Sequence, residues 1–250
     1  PMCDDCKDEY INPINRRFHS QTNTCSTCGV ELILITSEGK IIEIPKENIF
    51  QQVAKFLQEG NIIALKNTSG YLLCCNAEDE KVIKELRVKK NRPNKPFAVL
   101  YPSMELLKKD INLTEEETKS LTSTERPITI ISSINYKGNI VLGAVAPNLN
   151  QLGVMLPYTG ILQLLANQLN FSIIATSGNI HGSPIISDND NAVEKLKNVA
   201  NYFLQHNLQI MHPQDDSVVK FSTKFQQKVL FRRSRGYAPN YLNININSDA

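Results

Sequence analysis

Residues 86–97 read Leu-Arg-Val-Lys-Lys-Asn-Arg-Pro-Asn-Lys-Pro-Phe, so that five cations fall within nine residues before the apolar run Ala98-Val99-Leu100. Proline cannot continue a helix, and it pushes the residue before it toward extended geometry. The two prolines of this basic stretch therefore predict a shaped loop, whose cations point at one place, in front of a buried strand. Most isolated basic runs are merely solvated, so the prediction of an anion site depends on the other motifs of the chain.

Length and charge narrow the classes of protein that the chain can belong to. With 250 residues it can form one large domain or two small ones. Its net charge of +2 is nearly balanced, so only the local clusters of positive charge indicate an anionic partner, and a small phosphate ligand is favoured over a polyanion. The sequence has no apolar run of about 18 residues and no signal peptide, which predicts a cytoplasmic protein without a membrane partner. Because Pro1 stands just before a motif, we expect a piece of a longer polypeptide.

Four of the six cysteines form two close pairs, Cys3-x2-Cys6 and Cys25-x2-Cys28. This spacing lets two knuckles present four thiolates to one tetrahedral Zn²⁺. Two disulfides in a secreted domain are the alternative, which the missing signal peptide and the cysteine-poor remainder of the chain disfavour. Four sulfur ligands leave no position for water or substrate, so the predicted zinc is structural.

Short strands mixed with helices of about ten residues follow the cysteine pairs. Helices are predicted at 48–59, 78–86, 103–112, 114–120, 161–170 and 189–204. Strands are predicted at 31–35, 40–44, 61–66, 71–76, 96–101, 127–131, 139–142, 153–158, 171–175 and 209–211, and after a polar turn at 215–217. This irregular order favours an α/β fold with a mixed sheet over a doubly wound fold.

Polar residues stand where one of these strands ends. Thr176, Ser177, Gly178 and Asn179 follow the strand at 171–175, and backbone N–H groups and hydroxyls in such a loop can approach a phosphate. Alone this is weak evidence, because Ser-Gly-Asn is also an ordinary turn.

Taken together, the motifs resemble the HypF family of hydrogenase maturation carbamoyltransferases. The segments that carry the resemblance are 3–29, with both cysteine pairs, and then 89–98, 153–159, 175–179, 215–219 and 232–239. The resemblance implies a HypF-type zinc finger at 1–30, a linker or hairpin at 31–45, a YrdC-like domain at 46–241 and a tail at 242–250. It also implies the fold class: α/β, a YrdC-like twisted mixed β-sheet flanked by helices and preceded by a small four-cysteine zinc finger.

The resemblance implies an adenylate-forming enzyme. In this family a carbamate oxygen derived from carbamoyl phosphate attacks the α-phosphate of ATP, and pyrophosphate leaves, so that a carbamoyl-adenylate forms. The expected substrates are ATP with Mg²⁺ and carbamoyl phosphate. A HypE-like acceptor protein would receive the carbamoyl group in the full-length enzyme.

Site residues also come from the resemblance. Lys90, Arg92 and Lys95 match the family positions that clamp the triphosphate, a task suited to positioned cations. Ser177 and Asn179 would hold phosphate or ribose. Ser217 and Arg235 would complete the opposite wall. Lys66 would face the carbamoyl end, and Lys66, Lys90 and Arg92 are the expected catalytic residues.

One loop departs from the family pattern. The family usually has Lys-Gly-x-Gly-Gly-aromatic-His-Leu where this chain has residues 66–73. Asn67 and Ser69 occupy two glycine positions, and Leu72 occupies the histidine position. These changes predict a narrower and less polar pocket at the carbamoyl end, with the ATP end retained.

Two other functions stay open at the level of sequence. The first is a threonylcarbamoyl-adenylate synthase-like enzyme of tRNA modification, which the zinc finger disfavours because stand-alone enzymes of that group resemble only residues 46–241. The second is a non-enzymatic domain that binds double-stranded RNA along two basic clusters, the stretch at 86–97 and a second cluster at 229–236. It predicts RNA affinity that falls steeply with salt, and the low net charge and the absence of Trp give it little support.

Overall fold

The computed structural model describes residues 2–180 and 182–239, and its main feature is a ten-stranded mixed sheet. The strands are β1 (Leu32–Thr36), β2 (Ile63–Asn67), β3 (Gly70–Asn76), β4 (Ala98–Leu100), β5 (Ile128–Ser132), β6 (Gln151–Met155), β7 (Ile173–Ser177), β8 (Tyr202–His206), β9 (Val218–Phe221) and β10 (Lys228–Arg232). Their order across the sheet is β1-β8-β2-β3-β7-β4-β6-β5-β9-β10. The pairs β2/β8, β4/β6 and β5/β9 are parallel and the other pairs are antiparallel, which confirms the predicted mixed sheet.

Helices cover both faces of this sheet. They are α1 (Asp4–Ile11), α2 (Ile49–Gln58), α3 (Glu80–Lys89), α4 (Met104–Asp110), α5 (Glu115–Thr122), α6 (Leu142–Val145), α7 (Gly160–Ala166) and α8 (Asn189–Leu196). Helix α5 begins with the predicted capping box, in which the Thr114 hydroxyl accepts from Glu117 N and the Glu117 carboxylate accepts from Thr114 N. None of the helices in the described residues is long and apolar enough to cross a membrane.

Strand β3 shows why the sheet has a core on each side. Successive side chains of a strand point to opposite faces, and β3 is apolar on both. Tyr71 and Leu73 pack in one cluster with α3, whereas Leu72 and Cys74 pack in the other with α2 and α7. Burying an apolar side chain of this size contributes about 1.5–3 kcal/mol. Cys74 and Cys75 are fully buried core residues, as their apolar surroundings in the sequence predicted.

Four secondary-structure predictions are wrong. The helix predicted at 189–204 ends at Leu196, and residues 202–206 form β8 in the sheet, whereas 209–211 form no strand. The strand predicted at 139–142 is absent, because the chain enters the short helix α6 instead. The strand predicted at 40–44 is reduced to a single bridge between Ile41 and Ile35.

The basic stretch is helical in its first part, contrary to the predicted loop. Helix α3 runs through to Lys89, and the turn begins only at Lys90. Asn91 then adopts a positive φ of 50° and redirects the chain into the loop before β4. Asparagine tolerates this left-handed geometry better than most residues. The stretch therefore divides into a helix end and a shaped loop.

The segment between the finger and the main domain contributes to the sheet. Strand β1 pairs with β8 along its whole length, so residues 32–36 are more than a linker. The division into domains at 1–30, 31–45 and 46–241 stays a prediction. Residues 240–241 and the predicted tail at 242–250 lie outside the described residues.

Candidate functional site

A cavity of about 770 Å³ opens beside the sheet. It lies between the end of β7, the loop after α3, the turn before β9 and the end of β10. Four cations line it, Lys90, Arg92, Lys95 and Arg232, against the two carboxylates of Asp215 and Asp216. The excess of positive charge makes the cavity suited to an anion. The predicted residues Lys90, Arg92, Lys95, Ser177 and Asn179 thus meet in one place.

Arg92 is anchored by its own loop. Its guanidinium donates to Pro96 O at 2.6 Å and to Lys95 O at 3.3 Å, and it lies 5.0 Å from the centre of the Phe97 ring. Burial, and then the charges of Arg87 and Arg232, lower the pKa of Arg92 to about 10. The side chain remains a cation at neutral pH, and the cost of burying it would fall if an anion entered the cavity.

Lys90 links the basic stretch to the loop after β7. Its ammonium group donates to Ser177 O at 2.6 Å, to Asn179 O at 2.5 Å and to Asn179 Oδ1 at 2.7 Å. Three acceptors use the three protons of the ammonium group. Burial is the main cause that lowers the pKa of Lys90 to about 7, and Arg92 adds to the effect.

The loop after β7 is held close to β3. Gly178 N donates to Tyr71 O at 2.6 Å, and a Cβ at position 178 would lie 2.5 Å from the Tyr71 Cβ. Only glycine allows this approach of the two backbones. Asn179 is fixed further, because its amide donates to Ser183 O and its carbonyl oxygen accepts from the Ser177 hydroxyl.

Ser217 and Arg235 do not line the cavity in the described residues. The Ser217 hydroxyl is buried and accepts from Ser234 N at 2.8 Å. Arg235 donates to Asp216 Oδ1 at 2.7 Å, and its guanidinium lies 3.5 Å from the centre of the Tyr158 ring. Arg235 thus contacts Asp216 of the cavity lining, whereas the Ser217 hydroxyl bonds to the segment at Ser234.

Lys66 also lies away from the cavity lining. It is 4% exposed, and its ammonium group donates to His206 O at 3.1 Å. Burial lowers the pKa of Lys66, and the carboxylate of Asp188 opposes this shift. Lys66 lies near the carboxyl end of β2, and its hydrogen bond to His206 joins it to the carboxyl end of β8.

The departures from the family pattern fall in two places. Ser69 and Leu72 line the cavity, and Leu72 presents an apolar side chain at the position where the resemblance implies a histidine. Asn67 is buried and outside the lining. Its amide group donates to the Tyr158 hydroxyl at 2.9 Å and accepts from the Thr159 hydroxyl at 2.8 Å. The cavity is thus less polar at Leu72, whereas Asn67 forms its own hydrogen-bonded network.

The predicted site residues did not include Arg232 and Asp215, which also line the cavity. Arg232 binds the Asp215 carboxylate at 3.4 Å and Asp216 O at 2.7 Å. Simple alternation along β10 would not place both Phe231 and Arg232 at the cavity. A register shift between Leu230 and Arg232 re-aims the strand end, and no sequence signal indicates that bulge.

The four N-terminal cysteines form a compact sulfur cluster. The Sγ atoms of Cys3, Cys6, Cys25 and Cys28 all lie within 4.8 Å of one another, with Cys3–Cys25 at 3.5 Å and Cys25–Cys28 at 3.9 Å. Tetrahedral Zn–S bonds of about 2.3 Å place sulfur atoms about 3.8 Å apart. The cluster therefore fits a zinc ion.

Comparisons with known proteins agree with both parts of the structure. A family model described as "Telomere recombination" (Sua5_yciO_yrdC) matches residues 55–234, and a model described as "HypF finger" matches residues 2–35. The "Probable carbamoyltransferase HypF" of Methanocaldococcus jannaschii is 38% identical, over 99% of this chain and 38% of that protein. The carbamoyltransferase HypF of Rhodobacter capsulatus is 35% identical, over 96% of this chain and 31% of that protein. This chain thus spans 31–38% of the length of these relatives.

Solved structures give the same result. A full-length HypF in a phosphate- and nucleotide-bound form is 40% identical with a TM-score of 0.83, over 96% of this chain and 30% of that one. P. abyssi Sua5 complexed with L-threonine shares the fold, with a TM-score of 0.65 at 22% identity over 77% of this chain and 56% of that one. This chain therefore belongs to the Sua5–YciO–YrdC family, and its finger and its sheet together correspond to a section of the HypF carbamoyltransferases.

Proposed function

We propose that this chain forms a carbamoyl-adenylate from ATP and the carbamate supplied by carbamoyl phosphate, as one section of a HypF-type carbamoyltransferase for [NiFe]-hydrogenase maturation. The observation that carries the proposal is the cavity, which is lined by Lys90, Arg92, Lys95 and Arg232 together with residues at the end of β7. The likeness to a HypF solved in a phosphate- and nucleotide-bound form supports a nucleotide as the anion.

In the proposed reaction water cleaves carbamoyl phosphate into carbamate and inorganic phosphate, and a carbamate oxygen then attacks the α-phosphorus of ATP. The new O–P bond replaces the bond to the bridging oxygen, and pyrophosphate leaves with that electron pair. Negative charge grows on the phosphate oxygens, so Arg92, Lys95 and Arg232 would stabilise the transition state. Lys90 would hold Ser177 and Asn179 in place for phosphate or ribose. Lys66 and the loop that follows it would face the carbamoyl group.

The other components belong to the same proposal. Zinc would be structural in the cysteine cluster, and Mg²⁺ would accompany ATP. The acceptor of the carbamoyl group would be a HypE-like protein, and the reaction would take place in the cytoplasm.

Isotope exchange tests the proposed chemistry. We expect labelled pyrophosphate to enter ATP only when carbamoyl phosphate or ammonium carbamate is added, because the adenylate forms reversibly. Exchange should be weak, since Leu72 offers carbamate no hydrogen bond. Leu72→His should raise it about tenfold, equal to about 1.4 kcal/mol of transition-state stabilisation. The matched control, Leu164→His on the exposed side of α7, should leave it unchanged. Exchange without a donor, or no exchange with either donor in the parent and in Leu72→His while ATP still binds, would contradict the proposal.

The affinity for ATP should fall as the pH rises. The pKa of Lys90 is lowered to about 7, so the lysine carries its charge below this pH and loses it above. Between about pH 6.5 and 8.5 we expect calorimetry to show a loss of affinity on the order of tenfold. Lys90→Met should bind ATP weakly, and its affinity should change much less with pH. The ionisation of ATP itself affects both proteins equally, so the difference between the two profiles reports on Lys90. The same slope in both would show that Lys90 is not the titrating group.

A further inference from the structure

Arg87 is a buried cation of the basic stretch that has no role in the proposed chemistry. It is 8% exposed, and it projects from the last turn of α3. Its guanidinium donates to Ala144 O at 2.7 Å and to Val145 O at 3.0 Å, both in α6. The same group lies 4.4 Å from the centre of the Phe97 ring. Arg87 thus joins the end of α3 and Phe97 to α6, which lies more than 50 residues further along the chain.

The remaining contacts of Arg87 hold the loop that carries the cavity cations. Its Nη1 atom contacts Arg92 O at 2.8 Å, Lys95 O at 3.1 Å and Pro93 O at 3.2 Å. Its hydrogen-bond acceptors within the described residues are thus backbone carbonyl groups. The backbone of this loop therefore wraps around the Arg87 guanidinium, while the side chains of Arg92 and Lys95 line the cavity.

Two backbone bonds complete this arrangement. Arg92 N donates to Arg87 O at 2.9 Å, and Phe97 N donates to Val145 O at 3.0 Å. They enclose the loop at both ends. An arginine can bind these carbonyl groups at the same time because its planar guanidinium presents five N–H groups in fixed directions, whereas lysine presents a single point charge.

We propose that Arg87 is a positioning residue, which fixes the loop of residues 92–97 so that Arg92 and Lys95 are already aimed at the phosphate chain before the nucleotide arrives. This inference rests on the proposed function for the identity of the anion. The preformed loop itself does not depend on it. Pre-organisation removes the cost of ordering the loop on binding.

Hydrogen exchange of the unsubstituted protein tests the preformed loop without a nucleotide. The amides of Arg92 and Phe97 should be protected in the absence of ATP. In Arg87→Lys, which keeps the charge and loses the planar guanidinium, both amides should exchange at least about tenfold faster, whereas the amides of β7 should not change. Lys89→Met is the matched control, because it removes a cation from the same helix that pairs with Glu85 at 2.7 Å. It should leave the loop amides protected.

Ligand binding tests the positioning role. In Arg87→Lys the affinity for ATP should fall about tenfold, while the affinity for adenosine, which lacks the phosphates, should stay within about twofold. Equal losses for both ligands would show a general structural role and overturn the inference. The inference would also be overturned if the loop amides of the unsubstituted protein became protected only when ATP is added. This measurement does not depend on a variant that folds. A parent protein with protected loop amides and no affinity for ATP would instead overturn the proposed function alone.

Discussion

Cys25→Ser is expected to abolish zinc binding. The parent protein should carry one Zn²⁺ per chain, and the variant should carry less than about 0.2 equivalents by elemental analysis. The expectation follows from the geometry of the cluster, where Cys25 lies 3.5 Å from Cys3 and 3.9 Å from Cys28, Sγ to Sγ. Removing one thiolate from four leaves an incomplete tetrahedron. Structural zinc sites supply about 10–16 kcal/mol of apparent binding free energy in small finger peptides, so the effect should be large.

Helix α1 should melt with the loss of the metal. It has eight residues, and Cys6 is its only buried side chain in the described structure. Helices of this length are marginal in water without tertiary contacts. The sheet should keep its own unfolding transition, because its two cores contain no residue of α1.

His19→Ala is the control for the ligand set. The His19 ring stacks on Tyr10 at 5.1 Å between centroids and is not part of the sulfur cluster. The variant should keep its zinc. Full zinc content in Cys25→Ser, or a folded parent with almost no zinc, would show that the tetrathiolate assignment is incorrect.

Arg92→Ala is expected to weaken ATP binding by about 1–3 kcal/mol, the range for losing a charge-assisted hydrogen bond to a phosphate. The dissociation constant should therefore rise by about 5- to 150-fold in a calorimetric titration. Arg92 lines the cavity and is held there by contacts with its own loop. Its charge is partly buried, so the interaction is less screened than at the open surface.

Lys55→Ala provides the comparison for Arg92→Ala. Lys55 is an exposed cation of α2, and its ammonium group lies 3.9 Å from the Glu59 carboxylate. Its removal changes the net charge by the same amount and should leave ATP affinity within about twofold, because exposed charges are screened. Similar losses in both variants would mean that the affinity for ATP responds to net charge alone.

The sequence patterns predicted the sheet well where local signals agreed with the fold. Strands β2, β3 and β7 follow apolar runs that end at small polar residues, and these runs are buried on both faces. Strand β8 was missed for a physical reason. Leu196, Ala200, Phe203 and Leu204 are spaced like the apolar face of a helix, and all are buried. Tertiary pairing with β1 and β2 overrides that periodicity.

The cavity could be predicted only in part. The motifs located Lys90, Arg92 and Lys95, and these residues do line it. The same basic stretch could not reveal that Arg87 turns inward, because its partners Ala144 and Val145 come from α6, far along the chain. Charge runs show where cations are, and long-range packing decides which of them meet a ligand.

Strand β1 limits how the chain can be shortened. Only residues 29–31 separate Cys28 from Leu32, and β1 forms the outermost ladder against β8. A polypeptide that began at residue 46 would lose this strand together with the finger. The N–H and C=O groups of β8 would then stand open at the margin of the sheet, and such a margin is a template for pairing with another molecule. Self-association of such a shortened protein would thus come from the exposed backbone groups of β8.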